Sequence, residues 1–202
     1  MTTASVKNVS GVPDYEICEL APRRSHYCLL IPVINEGARI ITELGRAQRA
    51  GIDKVCDIIL CDGGSTDGSM KPETLELYGV NTLLTKTGPG KQGAQLRMGI
   101  HFALQRGYQG VLTVDGNNKD SIEDVPRFIA KLKEGYDLVQ GSRFVKGGHA
   151  INTPRSRYLA VRLIHAPIIS LAARQWFSDT TNAYRAYSRE SLTHPADKPL
   201  RD

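Results

Sequence analysis

Ile31-Pro32-Val33-Ile34-Asn35-Glu36 closes an apolar run that begins at Tyr27, and the chain repeats this arrangement twice. Cys61-Asp62-Gly63-Gly64-Ser65-Thr66-Asp67-Gly68 follows the run 55–61, and Val114-Asp115-Gly116-Asn117-Asn118-Lys119-Asp120 follows the run 110–114. Short apolar runs bounded by turn residues read as buried strands. Each polar group therefore lies at the carboxyl end of a strand. In an open α/β sheet that edge is where ligands bind. Acidic side chains beside glycines at such an edge suit a phosphate-bearing nucleotide held with a metal ion.

Around these segments strands and helices alternate. Strand 27–33 leads to a helix over 36–49 with Ile40, Ile41 and Leu44 on one face and Gly51 as its stop. Strand 55–61 leads through a turn to a helix over 72–78, then to strand 80–84. A Gly-rich loop at 87–93 opens a helix to about residue 106, with Leu96, Ile100, Phe102 and Ala103 as its apolar face. Strand 110–114, helix 121–134 and strand 137–140 follow. This rhythm implies βαβ units and a mostly parallel central sheet flanked by helices. After Gly141 it changes: 142–153 reads as a loop containing Lys146 and His149, 155–176 as an amphipathic helical region kinked before Pro167, and 183–188 as a strand. Residues 1–25 show no clear period and are expected to form a loosely packed arm, leaving 26–202 as one catalytic domain.

The 202 residues suffice for one substantial core, and a hydrophobic share of 41% fits a globular protein. No run approaches the ~20 apolar residues needed to span a bilayer. The longest apolar tract, 159–173, is broken by Arg162, His165 and Pro167, and the first 25 residues lack a signal-peptide core. No two of Cys18, Cys28, Cys56 and Cys61 have C-x-x-C spacing, so they read as reduced core residues in a reducing compartment. The formal charge of +5 is scattered, without a basic tract or aromatic-flanked stripe, which argues against nucleic acid as a partner.

Each motif taken singly has two readings. A carboxylate at Asp115 with an oxygen donor two residues on can hold a divalent cation against a diphosphate, or can simply end a strand in a turn. Asp62 can accept from a base or ribose, or can serve a turn capped by Ser65 or Asp67. Gly88-Pro89-Gly90-Lys91-Gln92-Gly93 sets backbone amides at a helix start, where phosphate binds. It is not a P-loop, because Gln92 follows Lys91. No G-x-G-x-x-G follows the first strand, which argues against a nicotinamide cofactor.

In order and spacing the segments resemble inverting family-2 glycosyltransferases of the Rossmann-like, nucleotide-sugar-binding GT-A fold. Ile31 to Glu36 is similar to that family's I-P-x-Y-N-E, and Asp62 to Asp67 to its D-D-G-S-T-D. Lys91 to Gly99 is similar to G-K-G-A-A-x-R-x-G, with Arg97 on the arginine, and Asp115-Gly116-Asn117 falls on the metal-binding D-x-D. Gly141 to Gly148 and Ser178 to Tyr187 resemble the G-S-R-Y-x-x-G-G and S-D-x-T-x-x-x-R-x-Y segments of dolichyl-phosphate mannose synthase and related polyprenyl-phosphate glycosyltransferases. The resemblance spans about residues 26–192.

It implies transfer of a sugar from a GDP- or UDP-sugar to an acceptor, a polyprenyl phosphate first among them, with inversion. Pro32, Asn35, Glu36 and Asp62 would line the base and ribose site, with Lys91, Arg97 and Gly116 also on the donor. Asp115 and Asn117 would hold Mg²⁺ or Mn²⁺. Arg143 would reach a phosphate, and Asp179 would be a base for a hydroxyl acceptor or an orienting group for a phosphate acceptor. Glycine replaces the family's second aspartate at position 63, and Asn117 replaces the second aspartate of D-x-D. Lys119 has no lone pair to ligate a metal but suits a phosphate, and Asp120 is a further carboxylate nearby. The arginine-flanked region 155–176 suits equally a membrane surface or a core-facing helix with arginines at its rim. The reduced cysteines and the missing export signal imply a cytoplasmic location, with peripheral attachment at the inner face of a membrane as one form of it. Relatives continue beyond the matched segments with a further helix and an acceptor or membrane-facing region, so the chain is expected to lack a C-terminal portion. A saccharide or other hydroxyl acceptor, or a nucleotide-binding module without turnover, stays open.

Overall fold

The computed structural model describes residues 2–145, 159–174 and 176–193. In chain order the elements are β1 (Thr2–Val6), β2 (Tyr15–Glu19), β3 (Tyr27–Val33), α1 (Ala38–Arg49), β4 (Asp57–Asp62), α2 (Pro72–Leu77) and β5 (Val80–Lys86). They continue with α3 (Gln92–Gln105), β6 (Gly110–Thr113), α4 (Val125–Lys133), β7 (Leu138–Gln140), α5 (Ala166–Ala173), β8 (Arg185–Ser188) and α6 (Arg189–Thr193). The chain divides into two units, Met1–Val139 with Ala186–Asp202, and Gln140–Arg185.

The strands form a single sheet in the order β1-β2-β5-β4-β3-β6-β8-β7. Its centre is parallel: β3 pairs with β4 and β6, and β4 with β5. Cys28, Leu29, Leu30 and Ile31 of β3 and Ile58, Ile59, Leu60 and Cys61 of β4 have no exposed surface. Continuous apolar runs are what strands covered on both faces require. All four cysteines are free thiols, and Cys28, Cys56 and Cys61 are buried, in keeping with their reading as core residues. Strand β4 begins two residues later than expected, because Ile52–Lys54 forms a 3₁₀ turn and Val55 is exposed.

Two expectations need correction. The sheet is mixed rather than mostly parallel, since β1–β2 and β2–β5 are antiparallel. Residues before 26 are not a loose arm: they supply β1 and β2. Tyr15 and Ile17 alternate inward and join the core with Leu84, Met98 and Phe102, and the Tyr15 hydroxyl meets His101 Nδ1 at 2.9 Å. The β1–β2 connection also supports the Gly-rich loop, because Thr87 N and Gly88 N both donate to Asp14 O.

Pro32 lies inside a central strand, where a missing N–H would ordinarily break a ladder. Here the β3–β6 pairing ends at Leu30↔Thr113, with Val114 N donating to Leu30 O. In parallel pairing Pro32 faces the same side as Leu30, so its absent donor falls where β6 has already left the sheet. The chain then crosses the end of β3 at Gly116, where a Cβ would lie 2.6 Å from Val33 Cγ1.

Helix α3 lies over β3 and β4; Phe102 and Ala103 are buried as expected, but Leu96 and Ile100 are not on the buried face. Its buried residues are Ala94, Gln95, Met98, Gly99, Phe102 and Ala103, while Leu96 and Ile100 are half-buried. Gly99 sets the distance, because a Cβ there would lie 2.5 Å from Cys61 Sγ and 2.9 Å from Leu30 Cδ1.

In the second unit a π-helical stretch, Val161–His165, precedes α5, with Ala166 N donating to Val161 O. The widened turn accommodates Pro167, whose ring would clash with the carbonyl four residues back in a regular helix. Leu163, Ile168, Leu171 and Trp176 are exposed there, as are Arg162 and Arg174. Among the described residues no helix is long and apolar enough to cross a membrane. Residues 146–158 and 175, and with them Lys146, His149, Arg155 and Arg157, lie outside the described residues.

Gly99→Ala should destabilise the protein by about 1–3 kcal/mol, the cost of overfilling a close contact. Urea unfolding should show a lowered midpoint with an unchanged slope. An unchanged midpoint would mean that α3 does not approach the sheet this closely.

Candidate active site

The loops after β3 and β4 are joined by their own polar residues. Asp62 is 2% exposed, and its carboxylate accepts from the Ser65 amide at 3.0 and 3.1 Å and from the Ser65 hydroxyl at 2.6 Å. Ser65 Oγ in turn accepts from Asn35 N at 2.9 Å. Asn35 adopts a left-handed backbone, φ 50°, a conformation asparagine tolerates better than most residues. Its Oδ1 accepts from Thr66 N at 2.8 Å. Asp67 Oδ2 accepts from Gly37 N at 2.8 Å, and its Oδ1 from the Ser69 hydroxyl at 2.6 Å.

The loop after β6 is held from below by α1. Glu43 is fully buried, and its Oε2 accepts from Asn118 N at 2.9 Å, while Oε1 is buried without a partner. Asn118 is left-handed, φ 59°. Arg46 reaches Asn118 Oδ1 at 2.9 Å, Asp120 O at 3.2 Å and Glu123 Oε2 at 2.6 Å. Burial pushes the Glu43 carboxyl up to about 7; the Asn118 amide and Arg46 oppose the rise, and Asp120 and Asp115 add to it.

Helix α3 aims two amides at this edge. Gln92 Nε2 donates to Asp115 Oδ1 at 2.6 Å. One turn on, Gln95 Nε2 donates to Val33 O at 2.6 Å and Cys61 O at 2.8 Å. Between the strand ends and α3 lies a cavity of about 510 Å³. Of the residues expected on a ligand, Pro32, Glu36, Lys91, Asp115, Gly116 and Asn117 line it. Asn35, Asp62, Arg97 and Lys119 do not. Asn35 and Asp62 are engaged in joining the loops, Arg97 is half-buried on α3, and Lys119 is exposed, its amide donating to Asn117 Oδ1 at 3.1 Å. Val33, Ile34, Gly63, Lys86, Gly90, Gln92 and Gln95 also line the cavity and were not read as site residues. Gln95 left a signal: it is a polar residue between Ala94 and Met98 on a helix face that is otherwise apolar or glycine.

The oxygen donors at the D-x-N segment are one carboxylate and one amide. Among the described residues no three His, Cys, Asp or Glu side chains converge to hold a metal. A hard divalent cation held by one or two carboxylates normally takes its remaining ligands from water and substrate phosphate. Asp115 fits a cation shared with a diphosphate in that way, not a cage built by protein alone.

The other two expected catalytic residues lie in the second unit and pair with each other. Arg143 Nε donates to Asp179 Oδ2 at 2.8 Å and Nη2 to Asp179 Oδ1 at 3.1 Å. Nη2 also reaches Thr181 Oγ1 at 2.7 Å. Burial alone would raise the Asp179 carboxyl, but the Arg143 guanidinium and the amides of Thr181 and Arg143 outweigh it and hold it below the usual carboxylate range.

The chain belongs to glycosyl transferase family 2, whose family model matches residues 28–194. It is 32% identical over 169 residues to an undecaprenyl-phosphate mannosyltransferase of Micrococcus luteus, covering 81% of this chain and 66% of that one. It is 30% identical over 171 residues to glycosyltransferase AglJ of Haloferax volcanii, covering 85% and 53%. The chain thus spans from about half to two thirds of the length of these curated relatives. Its fold is similar to that of glucosyl-3-phosphoglycerate synthase from Mycobacterium tuberculosis, crystallised with Mn²⁺, UDP and glucosyl-3-phosphoglycerate. The TM-score is 0.58 at 21% identity, over 83% of this chain and 58% of that one.

Glu43 gives a pH test. With its folded pKa raised to about 7 from an ordinary glutamate's 4.5, the native state binds more protons than the unfolded state between those values. Stability from this group is therefore full below about pH 4.5 and lost as pH rises through 7, a span on the order of 3 kcal/mol. Glu43→Gln keeps an acceptor for Asn118 N and cannot ionise. The Tm of the parent should fall more steeply from pH 5 to pH 8 than that of the variant. Equal slopes would contradict a buried protonated Glu43.

Proposed function

We propose that the chain is the donor-binding catalytic part of an inverting glycosyltransferase that moves a sugar from a nucleoside-diphosphate sugar to a polyprenyl phosphate. The observation that carries the donor half is the strand-end cavity with Asp115 oriented by Gln92 on one side and Lys86 and Lys91 among its walls. A departing diphosphate develops negative charge, and oriented positive groups in a water-poor crevice stabilise it. Bound Mg²⁺ or Mn²⁺ would offset part of that charge; Asp115 would hold it, with Asn117 supplying a neutral oxygen. The Mn²⁺ and UDP named for the mycobacterial synthase support this choice of ligands. Pro32 and Glu36 take part in donor binding directly. Asn35 and Asp62 act by holding the two loops in place, and Arg97 and Lys119 contribute positive charge from outside the lining.

The acceptor half rests on Asp179. A base that takes a proton from a hydroxyl works best with a pKa near the working pH. Asp179 is held low and its oxygens are engaged by Arg143 and Thr181. A phosphate acceptor is already an anion near neutral pH and needs no base. Asp179 then orients Arg143, and Arg143 meets a phosphate. The names of the polyprenyl-phosphate relatives support that acceptor. The exposed apolar residues of 159–176, with Arg162 and Arg174 beside them, support peripheral contact with an anionic lipid surface; the cytoplasmic side of this proposal rests on the free thiols.

The test is transfer of labelled sugar from GDP- and UDP-sugars to a short polyprenyl phosphate, with the matching alcohol as control. The phosphate should be glycosylated and the alcohol not. Asp115→Ala should lower the rate by about a hundredfold or more, as expected for loss of charge stabilisation at the leaving group. EDTA should weaken donor binding without abolishing it, because the D-x-N segment offers one carboxylate and one neutral amide. Asp179→Asn should raise the KM for the phosphate acceptor and leave the pH profile of kcat unchanged. Transfer to the alcohol, with a pH profile that loses its acidic limb in Asp179→Asn, would instead identify a hydroxyl acceptor and a true base.

A further inference from the structure

Two departures from the family pattern meet in space. Gly63 stands where D-D-G-S-T-D has its second aspartate, and Gln95 stands where G-K-G-A-A-x-R-x-G has its second alanine. A Cβ at Gly63 would lie 3.0 Å from Gln95 Nε2 and 3.3 Å from Ile34 Cδ1. A side chain at 63 and the amide of Gln95 therefore compete for one space.

Chemistry orients that amide. Gln95 is 4% exposed, and one end of its side chain lies 2.6 and 2.8 Å from two backbone carbonyl oxygens, Val33 O and Cys61 O. Only the NH₂ end can donate to both, so the assignment of nitrogen and oxygen follows from the partners. Both N–H bonds are engaged there. Oε1 is the polar atom left over; no described group donates to it, and the side chain lines the cavity. It can accept a hydrogen bond and can give none.

We infer that Gln95 Oε1 accepts the lactam N–H of the donor's nucleobase, taking the place that a carboxylate at position 63 would occupy. This rests on the nucleoside-diphosphate reading above. The cavity residues around the Gln95 amide favour a base over a phosphate or ribose: Val33, Ile34 and Gly63 present no polar side-chain atom, and an acceptor there repels a phosphate. The diphosphate end is set by Gln92, which meets Asp115 three residues earlier on α3, about 4.5 Å along the axis. Uracil and guanine both carry a ring N–H beside a carbonyl. Reading it with a neutral amide avoids burying a charge under the base. Gln95 thus joins two tasks, since the contact that holds α3 to the strand ends is also the one that presents the acceptor.

The test is calorimetric titration of the full chain with UDP, GDP, their N3-methyl and N1-methyl analogues, and inorganic pyrophosphate. The parent protein should bind one of the two nucleotides better than its N-methylated analogue, by roughly three- to tenfold for a single hydrogen bond. Gln95→Met keeps the length of the side chain and removes the acceptor. Gly63→Ala keeps the Gln95 side chain but forces its amide to give by a few tenths of an ångström, because the new Cβ would lie 3.0 Å from Nε2. In both variants the preference should shrink to less than about twofold; pyrophosphate affinity should hold in Gly63→Ala, whereas Gln95→Met also frees α3 from the strand ends and is read on the base preference alone. If Gln95→Met does not fold, the parent protein and Gly63→Ala decide. Equal binding of methylated and unmethylated nucleotide by the parent, or a full preference retained in a folded variant, overturns the inference. Binding of pyrophosphate but of neither nucleotide overturns the nucleotide reading itself and the inference with it.

Discussion

Two backbone carbonyls at the ends of adjoining central strands, Val33 O and Cys61 O, receive one side-chain amide, that of Gln95. A buried carbonyl left without a donor costs free energy comparable to a lost hydrogen bond. Val33 O also accepts from Gly63 N at 2.9 Å, so the amide is a second donor there, and reaching both carbonyls from one side chain pins the start of α3 to the carboxyl edge of β3 and β4. Everything that makes this edge a site follows from that attachment. Gln92, three residues earlier on the same helix, is brought to Asp115. Lys91 and Gly90, which lead into the helix, become part of the cavity wall. Gly99, one turn further on, allows the close approach to Cys61 and Leu30 that keeps the helix flat against the sheet.

The rest of the edge is built by the same logic, with side chains of one loop satisfying amides of another. Asp62, Ser65 and Asn35 form a chain between the loops after β3 and β4. Glu43 and Arg46 hold the turn through Asn118 from beneath. These groups do not face the cavity, and they supply its rigidity. A site that must orient a diphosphate benefits from loops whose polar groups are already engaged, since less ordering is then required when ligand binds.

Much of this was legible in the sequence. The parallel centre was readable because β3 and β4 are continuous apolar runs, as strands covered on both faces must be. The position of the site followed from the polar segments that end those runs. The first hairpin escaped notice because Thr2–Val6 is exposed or half-exposed wherever its side chains are described, and only Tyr15 and Ile17 mark the inward period of β2. The buried face of α3 is legible at Phe102 and Ala103 but not at its start, where Gln95 and Gly99 hold it and a hydrophobic pattern reads them as polar and as a breaker. At Asn35 and Asp62 a motif leaves two readings open, because a strand-end carboxylate looks the same whether it faces a ligand or a turn. The partners that decide between these lie in the folded loops, some of them about thirty residues away.

The central claim is that the strand-end cavity beside α3 is a nucleoside-diphosphate site. Backbone amide NMR during titration with UDP or GDP tests it most directly, because the cavity lining is rich in residues with observable N–H groups. The account predicts saturable shifts concentrated at Gly63, Gly90, Gln92, Gln95 and Gly116, with little change at the opposite end of the sheet around Ser25 and Gln109. Shifts centred on that opposite end, or none at millimolar nucleotide, would contradict it.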